Sequence, residues 1–222
     1  MSYAIMNKDM IKIAPSMLSA DFLHLEKDVN LVNEHADIFH LDIMDGTFVP
    51  NISYGFPIVE AISKIARKPM DAHLMIVNPE KYVARFAKAG VEMLSFHYEA
   101  AQEGTQEIVD LIRANGMKAG IAINPDIPVQ RLFPYLKNVD YVLIMSVFAG
   151  YGGQKFIEES YGRVEAMKSE IIRQGSTCEI EVDGGISPSN SKRLADAGAK
   201  ILVAGSSIFK ADKPEAAIEA MR

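Results

Sequence analysis

The sequence has little that would place it in an oxidising, membrane-bound or nucleic-acid-binding class. Its 222 residues include one cysteine, Cys178, so an internal disulfide is impossible and a reducing compartment is expected. Nothing beside Cys178 marks a nucleophile, which leaves it reading as a buried, inert thiol. No stretch reaches the roughly 20 apolar residues of a membrane span. Residues 1–12 contain no apolar run of signal-peptide length and are interrupted by Asp9, so the expected location is cytoplasmic. Positive charge is in deficit, 23 Lys and Arg against 29 Asp and Glu for a net charge of −6, and there is no basic run. Nucleic acid is therefore not an expected partner. An anionic ligand would need positive potential from backbone amides or a metal ion rather than from overall charge. No linker or shift in composition divides the chain, so one domain over residues 1–222 is expected.

Short apolar runs alternate with longer amphipathic ones throughout. The runs at 11–14, 38–43, 70–76, 93–97, 118–123, 141–147, 179–182 and 201–204 read as strands. Helical patterns fall at 22–34, 56–66, 79–89, 105–115, 129–136, 158–174, 189–197 and 214–221. Asn78-Pro79-Glu80 reads as a helix start, and Gly90, Gly116 and Gly198 as helix stops. Eight alternating pairs imply parallel pairing through right-handed crossovers. An open doubly wound sheet usually places a glycine-rich loop after its first strand. The loop Pro15-Ser16-Met17-Leu18-Ser19-Ala20-Asp21 has no glycine, which favours a single α/β (β/α)8 TIM barrel.

Alternation puts His40, Asp42 and Met44 on one face of their strand, and His73 and Met75 likewise on one face of theirs. Asp183 ends the seventh strand. In a closed barrel two histidines and two carboxylates converge at the mouth. That set suits a divalent metal with N and O ligands, and it offers two carboxylates for proton transfer at one carbon. A lone strand histidine is more often a satisfied core residue than a ligand. The two aspartates shift the balance toward metal, although spacing alone does not decide it. His97, with Glu99 two residues on, reads equally as core or as a support for the ligands. His24 and His35 read as surface residues. Met44, Met75 and Met145 sit at strand ends. Their default reading is core; the sharper one is an apolar ring around a reacting carbon.

Glycines cluster after strands 6 to 8, as Gly150-Tyr151-Gly152-Gly153-Gln154, Gly184-Gly185 and Gly205-Ser206-Ser207. In barrels the loops after strands 7 and 8, with a short extra helix, commonly bind phosphate. Ser206-Ser207-Ile208-Phe209 is the candidate for that helix. The plain alternative is that these glycines merely end strands.

Pro15-Ser16-Met17-Leu18-Ser19-Ala20-Asp21, His40-Leu41-Asp42-Ile43-Met44-Asp45-Gly46, Phe48-Val49-Pro50-Asn51, Asp71-Ala72-His73-Leu74-Met75, His97-Tyr98-Glu99-Ala100, Gly152-Gly153-Gln154-Lys155-Phe156 and Glu181-Val182-Asp183-Gly184-Gly185-Ile186 together resemble the ribulose-phosphate 3-epimerase family, in order and over nearly the whole chain. The resemblance implies one divalent metal ion held by His40, Asp42, His73 and Asp183, with Asp42 and Asp183 as the acid/base pair. Zinc, iron, manganese and cobalt all suit such donors, and the sequence does not choose among them. It further implies that Ser16, His73, Met44, Met75 and Met145 meet a small phosphorylated ketose, whose phosphate lies along Gly150, Tyr151, Gly152, Gly153, Gly184, Gly185, Gly205 and Ser206. The implied reaction is inversion at C3 of D-ribulose 5-phosphate to D-xylulose 5-phosphate through an enediolate. One segment departs from the family pattern Asn-Pro-Gly-Phe-Gly-Gly-Gln: this chain has Phe148-Ala149-Gly150-Tyr151-Gly152-Gly153-Gln154. That keeps open a hexulose-phosphate (allulose-6-phosphate) 3-epimerase, which shares the metal set and takes a longer sugar. A decarboxylase or aldolase would want a lysine near the carboxylates, and neither 39–46 nor 71–77 has one. A non-catalytic sugar-phosphate-binding barrel would be expected to lose an acid/base residue, and both are present. Oligomeric state is left open, a homo-oligomer included.

Overall fold

The computed structural model describes residues 11–222, so the expectation for the first ten residues lies outside the described residues. Eight strands form one parallel sheet: β1 (Lys12–Pro15), β2 (Phe39–Met44), β3 (Met70–Met75), β4 (Met93–His97), β5 (Lys118–Ile123), β6 (Tyr141–Met145), β7 (Glu179–Asp183) and β8 (Ile201–Ala204). Their order is β1-β8-β7-β6-β5-β4-β3-β2, so each strand lies beside its sequence neighbour. The barrel is nearly closed. At the seam, β1 and β2 meet through a single parallel bridge, Ser16 with His40, and Asp37 N–H donates to Ile13 O at 3.0 Å. Every residue of β2, β3, β4 and β6 is buried, because parallel strands are covered on both faces. Phe39, Leu41, Ile43, Leu74 and Phe96 pack in the outer core with the helices, while their alternate neighbours fill the barrel interior.

The surrounding helices are α1 (Leu25–His35), α2 (Phe56–Ser63), α3 (Val83–Lys88), α4 (Tyr98–Ala101), α5 (Thr105–Ala114), α6 (Ser160–Gln174), α7 (Ser191–Ala197), α8 (Ser206–Phe209) and α9 (Pro214–Glu219). Gly90, Gly116 and Gly198 all take positive φ, as expected of helix stops. Several helical expectations are corrected. The pattern at 129–136 folds as a 3-10 helix, Val129–Tyr135, with Pro134 inside it; that residue has no N–H for an α-helical bond. The pattern at 79–89 breaks into a 3-10 turn, Pro79–Lys81, and α3. Asn78 occupies the N-cap position of that turn, but at φ 52° and with no side-chain cap. The pattern at 105–115 gains two short turns before it, α4 and the 3-10 turn Gln102–Gly104. A further 3-10 turn, Met17–Ser19, follows β1 and swings Leu18 and Ser19 over the barrel mouth.

Candidate active site

Three inward-facing layers stack beneath the C-terminal mouth. The lowest is apolar, with Ile38, Met93, Tyr141 and Ile201 in one cluster, which continues upward to Val203 beside Asp183. Above it lie His40, Asp71 and Glu181, all fully buried. At the mouth are Asp42, His73 and Asp183. One ligand atom from each of His40, Asp42, His73 and Asp183 lies within 4.8 Å of the others, so the structure brings the four expected side chains to one point. His73 Nδ1 is 3.2 Å from Asp42 Oδ1 and 3.8 Å from Asp183 Oδ2. His40 Nε2 is 3.5 Å from Asp42 Oδ1 and 4.0 Å from Asp183 Oδ2. That Nε2 is buried and has no hydrogen-bond partner. A buried lone nitrogen aimed at two carboxylates is the donor geometry of a divalent-cation site, and the four residues fit one.

The electrostatics separate the two aspartates. Burial pushes the Asp183 carboxyl up, and the Asp42 charge pushes it further. Burial would also raise Asp42, but the charge of His40 and hydrogen bonds from both histidines outweigh it and hold Asp42 well below the usual carboxylate range. Ser16 adds to this by donating its hydroxyl to Asp42 Oδ2 at 2.6 Å. His40 is desolvated, yet Asp42, Asp71 and Glu181 raise it well above its ordinary value. Burial, joined by charge repulsion from His97 and His40, lowers His73 to about 4. Two carboxylates with their affinities pushed apart are the arrangement that an acid/base pair requires.

Each histidine is braced from behind. His40 Nδ1 lies 2.8 Å from Asp71 Oδ2 and 3.4 Å from Glu181 Oε1. His73 Nε2 and His97 Nε2 share one hydrogen bond at 2.9 Å, and His97 Nδ1 is 3.6 Å from Glu99 Oε2. His97 thus backs a candidate ligand, the second of its two readings. Asp71 and Glu181 are site residues that the sequence reasoning does not single out. Their signal is present: each sits two positions before His73 or Asp183, and alternation carries a charge on the same inward face. Asp45, in the same motif as Asp42, is outside the cluster. It accepts from the N–H groups of Thr47, Phe48 and Val77 and so shapes two loops.

A cavity opens above the cluster. Its walls include Ser16, Asp42, Asp183, Met44, Met75 and Met145, and its far side is built from Gly150, Tyr151, Gly152, Gly153, Gly184, Gly185, Gly205 and Ser206. Of the expected substrate contacts only His73 lies beneath the wall rather than in it, being fully buried. Leu18, Ser19, Val147, Phe148 and Ile186 also line the cavity. Leu18 and Ser19 have no period to betray them; they arrive through the short turn after β1. No lysine or arginine lines the cavity among the described residues. Gly205 leads into α8 where the short extra helix was expected. Its backbone approaches so closely that an added Cβ would lie 2.6 Å from Ser19 Oγ. The loop after β6 is strapped across the mouth: Asn51 Nδ2 donates to Gly150 O at 2.8 Å and Tyr151 O–H to Pro50 O at 2.9 Å.

Residues 12–209 match the model of the ribulose-phosphate 3 epimerase family. The chain is 43% identical over 215 residues to a ribulose-phosphate 3-epimerase, cytoplasmic isoform, of Oryza sativa subsp. japonica, covering 95% of this chain and 92% of that protein. It is 44% identical over 219 residues to ribulose-phosphate 3-epimerase of Synechocystis, covering 98% and 95%. For the enzyme of that name from Bacillus subtilis the identity is 42% over 215 residues, covering 96% and 99%. Among solved structures, 3-hexulose-6-phosphate synthase from Salmonella typhimurium superposes with a TM-score of 0.72 at 16% identity, covering 95% of this chain and 96% of that one. That likeness shows the barrel fold alone. With a family model spanning most of its length and relatives above 40% identity across it, the chain belongs to the ribulose-phosphate 3-epimerase family.

Proposed function

We propose that this chain inverts C3 of D-ribulose 5-phosphate to give D-xylulose 5-phosphate, with Asp42 and Asp183 as the proton-transfer pair and the whole chain as one catalytic unit. The observation that carries the reading is the pair itself: two carboxylates that meet at one point in the cavity wall, with burial and the Asp42 charge raising Asp183 while His40 and His73 hold Asp42 low. The C3 proton of a 2-ketose is acidic because it lies beside the C2 carbonyl. Asp42, charged and steadied by the Ser16 hydroxyl, accepts that proton from one face. An enediolate forms. Asp183 gives its proton to C3 from the other face, leaving the pair with protonation exchanged for the return. Inversion needs two groups on two sides of one carbon, and strands β2 and β7 supply them.

His40, Asp42, His73 and Asp183 would hold one divalent ion, with zinc, iron, manganese or cobalt suited to two imidazoles and two carboxylates. Such an ion would supply Lewis-acid polarisation of the ketose oxygens. Met44, Met75 and Met145 keep the reacting carbon in apolar surroundings, which strengthens every charge interaction there. The phosphate lies on the glycine-built wall, where bare backbone lets it approach without a cationic side chain. Binding that remote group holds C3 in register between the carboxylates. The Cys178 thiol is buried and pushed up to about 12, an inert core group with no part in the chemistry. No helix among the described residues is long and apolar enough to cross a membrane.

The test is side-by-side kinetics on pentulose and hexulose phosphates, in H2O and in D2O. The pentulose should be preferred, and initial-rate product should carry solvent deuterium at C3. Asp42→Asn and Asp183→Asn, checked for metal content, should each lose roughly 10²–10⁴-fold in turnover. Transfer of the substrate's own C3 hydrogen without solvent label would overturn the two-base assignment. A preference for the six-carbon sugar would move the reading to the allulose-6-phosphate branch.

A further inference from the structure

Tyr141 opens β6 at the bottom of the barrel, away from the cavity, and is 1% exposed. Its register partner on β5 is Gly120, and a Cβ at Gly120 would run into the Tyr141 ring. The ring therefore occupies barrel interior that any other residue at position 120 would have to contest. If filling that space were its whole purpose, an apolar ring would serve, because a buried phenol must find an acceptor or bear the cost of desolvation. The Tyr141 hydroxyl does find one: it donates to Asp71 Oδ1 at 2.5 Å. The other oxygen of the same carboxylate, Asp71 Oδ2, lies 2.8 Å from His40 Nδ1. His40 Nε2, across the ring, is the partnerless nitrogen aimed at Asp42 and Asp183.

Asp71 has a competitor. Glu181 Oε1 is 3.4 Å from the same His40 Nδ1, and neither Glu181 oxygen has a hydrogen-bond partner. His40 Nδ1 thus lies between two carboxylates on adjacent sides, and turning to Glu181 would rotate Nε2 away from the ligand point. We propose that Tyr141 is a positioning residue for the metal centre: by pinning Asp71 it makes Asp71, and not Glu181, the carboxylate that orients His40. The line of contact is Gly120, Tyr141, Asp71, His40, running from the floor of the barrel to its mouth. It rests on the reading of His40 as a metal ligand.

The experiment measures metal affinity rather than turnover, by competition of Co2+ or Zn2+ between the purified protein and a chromophoric chelator. Tyr141→Phe keeps the ring and its packing and removes only the hydroxyl. Its dissociation constant should rise about tenfold, the lower end of what outer partners of metal-bound histidines usually contribute. The d–d absorption of the cobalt form should shift as the His40 ring turns. Asp71→Asn should weaken binding at least as much, and the double variant no more than Asp71→Asn alone, because the phenol acts through that carboxylate. A role in packing alone would move the melting temperature of the metal-free protein and leave the affinity and cobalt spectrum as in wild type; that result overturns the proposal. Additive losses in the double variant overturn it as well. His40→Ala separates the two levels: if it binds metal as wild type does, the ligand assignment falls and this proposal with it. If His40→Ala abolishes binding while Tyr141→Phe changes nothing, only the role of Tyr141 falls.

Discussion

At the scale of the residue, the pair Asp42 and Asp183 shows how neighbours divide two identical side chains. Both are inward-facing strand carboxylates, yet Asp42 has His40, His73 and Ser16 against it, while Asp183 is raised first by burial and then by the charge of Asp42. A pH dependence follows. The Asp183 carboxyl is raised to about 7 in the folded protein against roughly 3.9 in an unfolded chain. A group raised on folding binds more protons folded than unfolded. Its contribution is full below the unfolded value and is lost as pH climbs through the folded one. Metal-free protein should accordingly lose stability between about pH 4 and pH 7 through this residue. An asparagine in its place, being neutral, carries no such loss, so Asp183→Asn without metal should melt above wild type at pH 8 and the gap should narrow by pH 5. Thermal melts at the two pH values check it, and equal melting temperatures at both would remove the basis for Asp183 as the proton donor. A divalent ion should reverse the order, since wild type alone keeps all four ligands.

At the scale of the element, the loop after β6 and the glycines after β7 and β8 decide how the substrate is seated. Gly185 has φ +65°, and an added Cβ would lie 2.6 Å from Phe156 N. Any side chain there strains the backbone as well as blocking an anion. Gly152 is the cleaner probe: its nearest neighbours to an added Cβ are Ser19 Oγ at 3.8 Å and Leu18 Cδ2 at 3.9 Å, ordinary contacts within the cavity. Gly152→Ala should keep the wild-type melting temperature and raise KM for the sugar phosphate roughly tenfold, about 1.4 kcal/mol. Gly185→Val should lower both stability and affinity. Unchanged KM in both would place the phosphate elsewhere. Phe148 and Ala149, where the chain leaves its family's pattern, need separate treatment. Phe148 lines the cavity and is 51% exposed. Ala149 N–H donates to Asn124 Oδ1 at 3.0 Å, a bond that a proline at 149 could not make. Phe148→Asn alone should therefore shift the ratio of kcat/KM for pentulose over hexulose phosphate, by roughly 1–3 kcal/mol if the aromatic ring sets pocket length. An unmoved ratio would make the aromatic neutral. Ala149→Pro should loosen the strap and lower activity on both sugars.

At the scale of the whole molecule, the candidate metal centre draws ligands from β2, β3 and β7 and lies near the seam where β1 and β2 meet by one bridge. A bound ion should stiffen that seam. Metal at a hundredfold excess over its dissociation constant contributes about 2.7 kcal/mol. For a chain of this length that corresponds to a rise of roughly 5–10 °C in melting temperature. Chelation followed by calorimetry checks it, and a melting temperature indifferent to metal would argue against a centre spanning these strands. Much of this architecture is legible in the residues. Eight strands, their parallel order and Gly90, Gly116 and Gly198 as helix stops follow from period and alternation, which are local properties of a chain; the set His40, Asp42, His73 and Asp183 needs the family resemblance and the closed barrel besides. The segment at 129–136 misleads because a helical apolar period does not distinguish a 3-10 from an α-helix, although Pro134 is in plain sight. What only the tertiary structure decided is every relation between residues distant in sequence. The opposed proton affinities of Asp42 and Asp183, the strap from Tyr151 to Pro50, the reach of Ser19 to Gly205 and the run from Tyr141 through Asp71 to His40 are all of this kind. A sequence specifies which face a side chain takes on its own strand. Charge, burial and hydrogen bonding depend on what stands opposite, and that is set only when the barrel closes.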